Sequence, residues 1–399
     1  MKILQLCMRV PFPANDGATI AMYRIAQSLI ENGAPVKILA LNTNKNFIPP
    51  GEMKGPFYET TRMESVFIEL SVKPFDAFLN IFSDKSYNII RFFSGEFDKK
   101  LKAVLQSESF DIVQIEGLHL TVYLNTIRSN SSARIVLRAH NAEYIIWKRM
   151  ADLCSSFLKK KYLKLLASRL KNYETVILNK MDAIIPITED DKQIFVNLGS
   201  RTAMKVLPVG INASEYPPDE SSNREFIAFH LGSMNWMPNL EAVDWFLSEV
   251  FDKIIAGDPS IKILLAGKDM PERIKNLAGD CLIVMDRIDN AKEFMKDKSV
   301  MMVPLLSGSG MRVKIIEGMA AGKAIVSTSI GAEGIKYTHG ENILIADTAE
   351  DFAKAILKLK NDVSLRIRLG AEAKKLVWKH YDNKQLGSEL KKFYEELLK

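Results

Sequence analysis

Short apolar runs separated by stretches of helical spacing recur along this whole chain, and that alternation is the habit of a parallel sheet covered on both faces. In the first half the runs are Lys2 to Cys7, Val36 to Leu41, Val66 to Leu70, Ile112 to Ile115, Arg134 to Arg138 and Ala183 to Pro186. Between the first two, Ala18, Ile20, Ala21, Ile25, Leu29 and Ile30 fall at helical spacing within Gly17 to Asn32, completing a strand–helix–strand unit. The stretch from Val209 to Asn223 is rich in Pro, Ser, Asp and Glu and lacks apolar periodicity, as a linker does. A second series follows, with strands expected at Ile227 to Leu231, Ile261 to Ala266, Cys281 to Met285, Val300 to Leu305, Ala324 to Ser327 and Asn342 to Ile345. Helices are expected between them at Pro238 to Ile255, Ala291 to Asp297, Lys314 to Ala321 and Ala349 to Lys360, and the tail from Ala371 to Leu398 reads as two helical pieces. The prediction is an α/β protein with one domain over 1–212, a second over 213–370 and terminal helices over 371–399.

A length of 399 residues fits this division, because it exceeds one ordinary core and suits two of roughly 150 to 200 residues. With 47% apolar and 26% charged residues the chain has the composition of a soluble globular protein, and disorder is not indicated. The apolar start Ile3 to Met8 is too short for a secretory signal and is closed by Arg9 and Pro11. Cys7, Cys154 and Cys281 share no paired spacing, which predicts a reducing, cytoplasmic setting. A net charge of +6 is modest for this length and argues against a general nucleic-acid partner. The charge is unevenly placed. Lys148, Arg149, Lys159, Lys160, Lys161, Lys164, Arg169 and Lys171 crowd one stretch, interleaved with Trp147, Phe157, Tyr162, Leu163, Leu165, Leu166 and Leu170. Two readings stand for such a basic amphipathic helix: its apolar stripe packs on its own domain, or it makes peripheral contact with an anionic membrane.

The run Ser307-Gly308-Ser309-Gly310-Met311-Arg312-Val313-Lys314-Ile315-Ile316-Glu317-Gly318-Met319-Ala320 carries the chemistry. It follows the apolar run Val300 to Leu306, so a strand ends in glycines and passes into a helix bearing Arg312, Lys314 and Glu317. Glycines let backbone N–H groups approach an anion, and the start of a helix adds the positive end of its dipole. With Ala324 to Thr328 and Gly331-Ala332-Glu333-Gly334, this region resembles the donor-binding signature of retaining, nucleotide-sugar-dependent glycosyltransferases of the GT-B fold, family 4. The resemblance implies two Rossmann-like domains whose parallel sheets face each other across a cleft, with the terminal helices crossing back to the N-terminal domain.

The resemblance assigns roles residue by residue. Glu317 would bind the two ribose hydroxyls, a task for a bidentate acceptor. Arg312 and Lys314 would neutralise the leaving diphosphate. Many relatives carry a second glutamate where this chain has Ser309, so that contact would pass to the backbone N–H groups of Gly310 and Met311 or to groups elsewhere. Relatives also place an arginine, and a lysine some residues later, after the turn at Gly232; this chain has Ser233-Met234-Asn235-Trp236-Met237-Pro238-Asn239, and Arg312 and Lys314 stand in for those cations. Gly17 matches the glycine that lies against the donor. His140, at the end of Ile135-Val136-Leu137-Arg138, matches a histidine that contacts the donor sugar and is the catalytic candidate; Glu116 and His119, at the neighbouring strand end, are acceptor-side candidates.

His119, His140, His230, His339 and His380 share no ligand spacing and no Asp-x-Asp is present, so no metal site and no cofactor are expected. The resulting expectation is a metal-independent, retaining hexosyltransferase-type enzyme. It would be cytoplasmic or peripheral to the inner membrane face, and would move sugar from a UDP- or GDP-sugar to a glycan or lipid-linked acceptor in polysaccharide or glycolipid assembly. A GT-B sugar-nucleotide epimerase and a non-catalytic nucleotide-sugar-binding subunit are the rival readings.

Overall fold

The computed structural model describes residues 1–14, 16–71, 80–216, 225–308 and 310–399. The chain divides into two compact units, one made of Met1–Gly210 with Asn383–Lys399 and the other of Ile211–Asp382.

Seven strands build the sheet of the first unit: β1 (Ile3–Cys7), β2 (Val36–Thr43), β3 (Glu64–Ile68), β4 (Ile112–Glu116), β5 (Arg134–Ala139), β6 (Ala183–Pro186) and β7 (Ala203–Met204). Their order is β3-β2-β1-β4-β5-β6-β7 with every pairing parallel. β1 and β4 are buried at every residue, as strands covered on both faces must be. Leu4 and Leu6 join one apolar layer, while Ile3 and Cys7 join the layer on the opposite face. β3 starts two residues before the apolar run that predicted it, because its ladder partner sets the start: Glu64 lies beside Leu39 and is paired at 3.0 Å with Lys37. β7 has only two residues and no apolar alternation for a sequence reading to find.

The second unit repeats the plan with β8 (Ile227–Leu231), β9 (Lys262–Ala266), β10 (Leu282–Met285), β11 (Val300–Val303), β12 (Ala324–Ser327) and β13 (Leu344–Ile345). Their order is β10-β9-β8-β11-β12-β13, again all parallel. In each sheet the chain winds outward from its first strand and then returns to that strand's other side. The reversal falls between β1 and β4 in one unit and between β8 and β11 in the other. Ligands of such sheets bind outside the carboxyl ends of the strands at this reversal.

Three helices bear on the sites. The helix Gly17–Glu31 is opened by Asp16, whose carboxylate accepts from the N–H groups of Ala18 (3.1 Å) and Thr19 (3.0 Å), while the Thr19 hydroxyl accepts from the Asp16 N–H at 3.0 Å. The last helix, Asn383–Leu397, packs on it: Asn383 donates to the Arg24 carbonyl at 3.0 Å, and Asn32 donates to that of Lys384 at 3.0 Å. The helix before it runs unbroken over Val363–His380, straight through Gly370. A Cβ at Gly370 would stand 2.0 Å from the Gly322 carbonyl oxygen, so close packing rather than helix propensity selects glycine there.

The basic stretch forms the helices Glu143–Leu153 and Phe157–Leu178. Along the longer one Leu163, Leu166, Ala167 and Leu170 are buried in their own unit, whereas Phe157 (68% exposed) and Leu158 (77%) lie open beside Lys159, Lys160 and Lys161. The apolar stripe thus packs inward while the first turn stays in solvent. No helix among the described residues is long and apolar enough to cross a membrane.

Candidate functional site

In the second unit two loops meet at the reversal point. The first leaves β8 through Gly232 and reaches the helix that starts at Met237; the second leaves β11, passes Ser307, Gly308 and Gly310, and enters the helix Val313–Ala320 at Arg312. Ser309 lies outside the described residues. Arg312 occupies the cap position without a side-chain cap bond, so the first N–H groups of this helix are left to other acceptors. Trp236 joins the two loops, with the Arg312 guanidinium carbon 5.2 Å from its ring centroid. Ser307 donates to the Glu241 carboxylate, a second tie between them.

Glu317 and Lys314 sit three residues apart on the helix this loop opens, which puts them on one side of it. Tyr216 donates to the Glu317 carboxylate at 3.4 Å, and the Tyr216 carbonyl accepts from Lys374 at 3.0 Å. Lys292 lies 5.1 Å from the Tyr216 ring centroid and pairs with Glu215. Crowding by protein lowers the pKa of Lys314 from its ordinary value, and the charge of Glu317 acts in the opposite direction. His230 in β8 is buried; its Nδ1 meets the Met302 carbonyl at 3.1 Å, and burial pushes it down to about 4. It is therefore neutral near pH 7. Gly232, Gly310, Met311, Arg312, Lys314 and Glu317 are thus gathered around one strand-end region. Trp236 and Tyr216, which the sequence reading did not single out, complete it. A large aromatic in a polar turn after a strand is the signal that would have marked Trp236.

In the first unit the carboxyl ends of β4 and β5 carry a buried polar network. Glu116 has no exposed surface and accepts from Gln5 (2.8 Å), Gln114, Arg138 (3.3 Å) and His140 Nε2 (2.6 Å). Arg138 also donates to the Ala21 carbonyl at 3.2 Å, and Gln5 to that of Met22 at 3.1 Å, which joins the network to the helix Gly17–Glu31. Tyr394 of the last helix donates to Gln114 at 2.5 Å. Ladder register makes this assembly: Gln5 stands beside Gln114, and Cys7, Glu116 and Arg138 form one row. Burial alone would raise the Glu116 pKa, but Arg138 and the His140 hydrogen bond outweigh it, and the carboxyl titrates below its ordinary value. Burial, then the charge of Glu116, raises the Cys7 thiol and the Tyr394 hydroxyl.

With no exposed surface, Glu116 meets the rest of the protein through its hydrogen-bond partners alone. As an ionised acceptor it receives a hydrogen bond from the Nε2–H of His140. His119 lies in the turn Leu118–Tyr123, tilted against Phe92 with centroids 4.5 Å apart; burial first, then Arg91, pushes it down to about 4. Gly17 is the first residue of its helix, and a Cβ there would meet nothing within 4 Å. His140, Glu116 and His119 belong to one unit and the donor-signature residues to the other. Gln5, Gln114 and Arg138 were legible as exceptions, since a polar residue inside a run read as buried requires a partner.

The helix that follows His140 is capped by carboxylates from elsewhere in the first unit. Glu174 accepts from the N–H groups of Glu143 (3.1 Å) and Tyr144 (3.2 Å), and Asp191 accepts from that of Ala142 at 3.0 Å and from the Thr188 hydroxyl at 2.6 Å. Burial, reinforced by like charge, pushes Glu143 up to about 7 and Glu174 up to about 8. Glu174 and Asp191 together hold the turn that presents His140.

Two family models match the chain. Residues 15–215 match the model described as Glycosyltransferase Family 4, and residues 225–362 match that of the glycosyl transferases group 1. A 44.6 kDa protein in the cps region of Klebsiella pneumoniae is 23% identical over 301 residues, covering 73% of this chain and 76% of its own. The sucrose-phosphate synthase of Thermosynechococcus elongatus superposes with a TM-score of 0.70 at 15% identity, covering 100% of this chain and 99% of its own. Anabaena HepE in complex with UDP-glucose does so with a TM-score of 0.65 at 14% identity, covering 99% of this chain and 100% of its own. Two doubly wound parallel sheets, the loop-and-helix signature that ends in Glu317, and a family match across both units lead to one conclusion: the chain belongs to the family 4, group 1 glycosyltransferases of the GT-B fold.

Proposed function

We propose that the protein transfers a hexose-type sugar from a UDP- or GDP-sugar to a hydroxyl of a polysaccharide or glycolipid precursor, with retention of anomeric configuration. The observation that carries this reading is the convergence, at the reversal between β8 and β11, of two loops with Arg312, Lys314 and Glu317. A helix start open to an anion, two cations and a carboxylate are the parts that a nucleoside diphosphate requires: amides and cations for the phosphates, a carboxylate for the ribose. Anabaena HepE, alike in fold, binds UDP-glucose. As the bond from the sugar to the phosphate oxygen breaks, that oxygen gains charge; Arg312 and Lys314 offset it, so the reaction proceeds without a metal ion. Front-face attack accounts for retention: the acceptor oxygen bonds to the anomeric carbon on the side the diphosphate leaves, and the departing phosphate oxygen takes the acceptor proton. His140, fixed by Glu116, orients the sugar hydroxyls.

The test is a melting-temperature screen with UDP-, GDP- and ADP-sugars, followed by measurement of released nucleotide in the presence of EDTA. A ligand that binds the native form at 100 times its Kd adds about 2.7 kcal/mol of stability, a clear upward shift. A shift with UDP- or GDP-sugars and acceptor-dependent release supports the proposal. Interconversion of UDP-N-acetylglucosamine with its epimer in the absence of acceptor would assign an epimerase, and binding without turnover on any acceptor a binding subunit.

The acceptor is proposed to be lipid-linked, reached by a protein resting on the cytoplasmic membrane face. Met150 (48% exposed), Leu153 (68%), Phe157 and Leu158 present apolar surface next to Lys159, Lys160 and Lys161, a pairing that suits anionic headgroups over acyl chains. Changing these three lysines to Glu is expected to lower partitioning onto vesicles of anionic phospholipid by roughly two orders of magnitude or more, at about 1 kcal/mol per lysine lost. Flotation of the triple variant with such vesicles at the unmodified level would remove this part of the proposal.

A further inference from the structure

Arg312 is held in place before any ligand arrives. Its guanidinium carbon lies 5.2 Å from the centroid of the Trp236 ring, and its Nη1 donates to the Gly310 carbonyl at 2.5 Å. Gly308, at φ +115°, closes the edge of this slot: a Cβ there would stand 2.6 Å from Arg312 Nη2 and 3.3 Å from the Trp236 ring. A side chain at 308 would push the guanidinium out of this position. Trp236 is 38% exposed, so much of its ring is not engaged in the core, and it occupies the turn directly after β8.

The geometry points to Trp236 as the positioning residue of the donor site: its indole holds the Arg312 guanidinium ready for the pyrophosphate of a nucleoside diphosphate. The inference rests on the proposed function, in which Arg312 meets that group. A planar cation can lie against a planar ring and still turn its N–H edge to an anion, which a lysine ammonium cannot do. A side chain already held loses little rotamer freedom when the ligand binds, so the contact with the indole raises affinity without touching the ligand. The consequence is discrimination by phosphate count, because the benefit exists only for ligands that reach Arg312.

The experiment is calorimetric titration of the intact chain with UDP or GDP, whichever the screen identifies, and with the matching nucleoside, for the unmodified protein and the variants Trp236→Ala, Trp236→Phe, Arg312→Ala and the double variant Trp236→Ala/Arg312→Ala. Expected is a loss of about fivefold or more in diphosphate affinity for Trp236→Ala, little change in nucleoside affinity, and partial retention in Trp236→Phe. In the Arg312→Ala background the Trp236→Ala change should then have no further effect. Equal weakening of nucleoside and diphosphate, or full additivity in the double variant, overturns the inference and leaves the proposed function standing. Failure of the unmodified protein to bind either diphosphate overturns both.

Discussion

Replacing Glu317 by alanine is expected to lower the affinity for the nucleoside diphosphate by about 100-fold, with the ligand-free melting temperature changed by no more than about 2 °C. A carboxylate that receives both ribose hydroxyls makes two charge-assisted hydrogen bonds, each worth about 1.5–3 kcal/mol when its partner is removed. Water entering the gap returns part of that, which leaves a loss near two decades. Stability changes little because Glu317 is partly exposed on its helix and its hydrogen bond from the Tyr216 hydroxyl is long, at 3.4 Å. Glu317→Gln keeps one acceptor oxygen and should fall between the two. Titration calorimetry with UDP and GDP checks this, and unchanged affinity for whichever one binds would remove Glu317 from the donor site.

Changing Arg138 to Met acts on the other unit and on stability. Arg138 and Glu116 are both fully buried, and removing one partner of such a pair costs about 3–5 kcal/mol because an uncompensated charge remains. For a unit of this size that is a fall of roughly 6 to 20 °C in melting temperature. The pH dependence follows from the direction of the Glu116 shift. Its pKa in the folded protein is depressed, so its contribution is fully present above the ordinary carboxylate value and is lost as pH falls through the folded-state value. Without Arg138, burial dominates and the folded-state pKa rises, so the variant is penalised most at neutral pH. The gap in melting temperature between the two proteins should therefore narrow from pH 7 toward pH 4, as Glu116 takes up a proton in the folded variant, whose pKa has risen, while it stays ionised in the unmodified protein. Thermal unfolding followed by circular dichroism measures it, and a gap constant with pH would mean that lost packing, not charge, sets the cost.

Much of this protein was legible without coordinates. Parallel strands buried on both faces read as unbroken apolar runs, so Ala183–Pro186, Ile227–Leu231 and Ala324–Ser327 were read to the residue. The loop proposed to hold the donor and the helix it opens are also local, and a pattern of glycines, two cations and a carboxylate needs no knowledge of distant strands.

What escaped the sequence are the contacts that join remote segments. Gln114 and Tyr394 are 280 residues apart, Gln5 and Glu116 are 111 apart, and Tyr216 and Glu317 are 101 apart. Periodicity reports which face of an element is apolar, and it carries no information about which strand lies beside which. Strand order and register decided that Gln5 would stand beside Gln114 and that Cys7, Glu116 and Arg138 would share a row. The same holds at Trp236, whose place under Arg312 depends on β8 and β11 being neighbours although nearly seventy residues of chain separate them. Local patterning thus determined the elements and the loop chemistry. Only the tertiary structure decided which side chains orient it, because a hydrogen bond or a ring stack needs two groups within a few ångströms, and the folded backbone alone sets that distance.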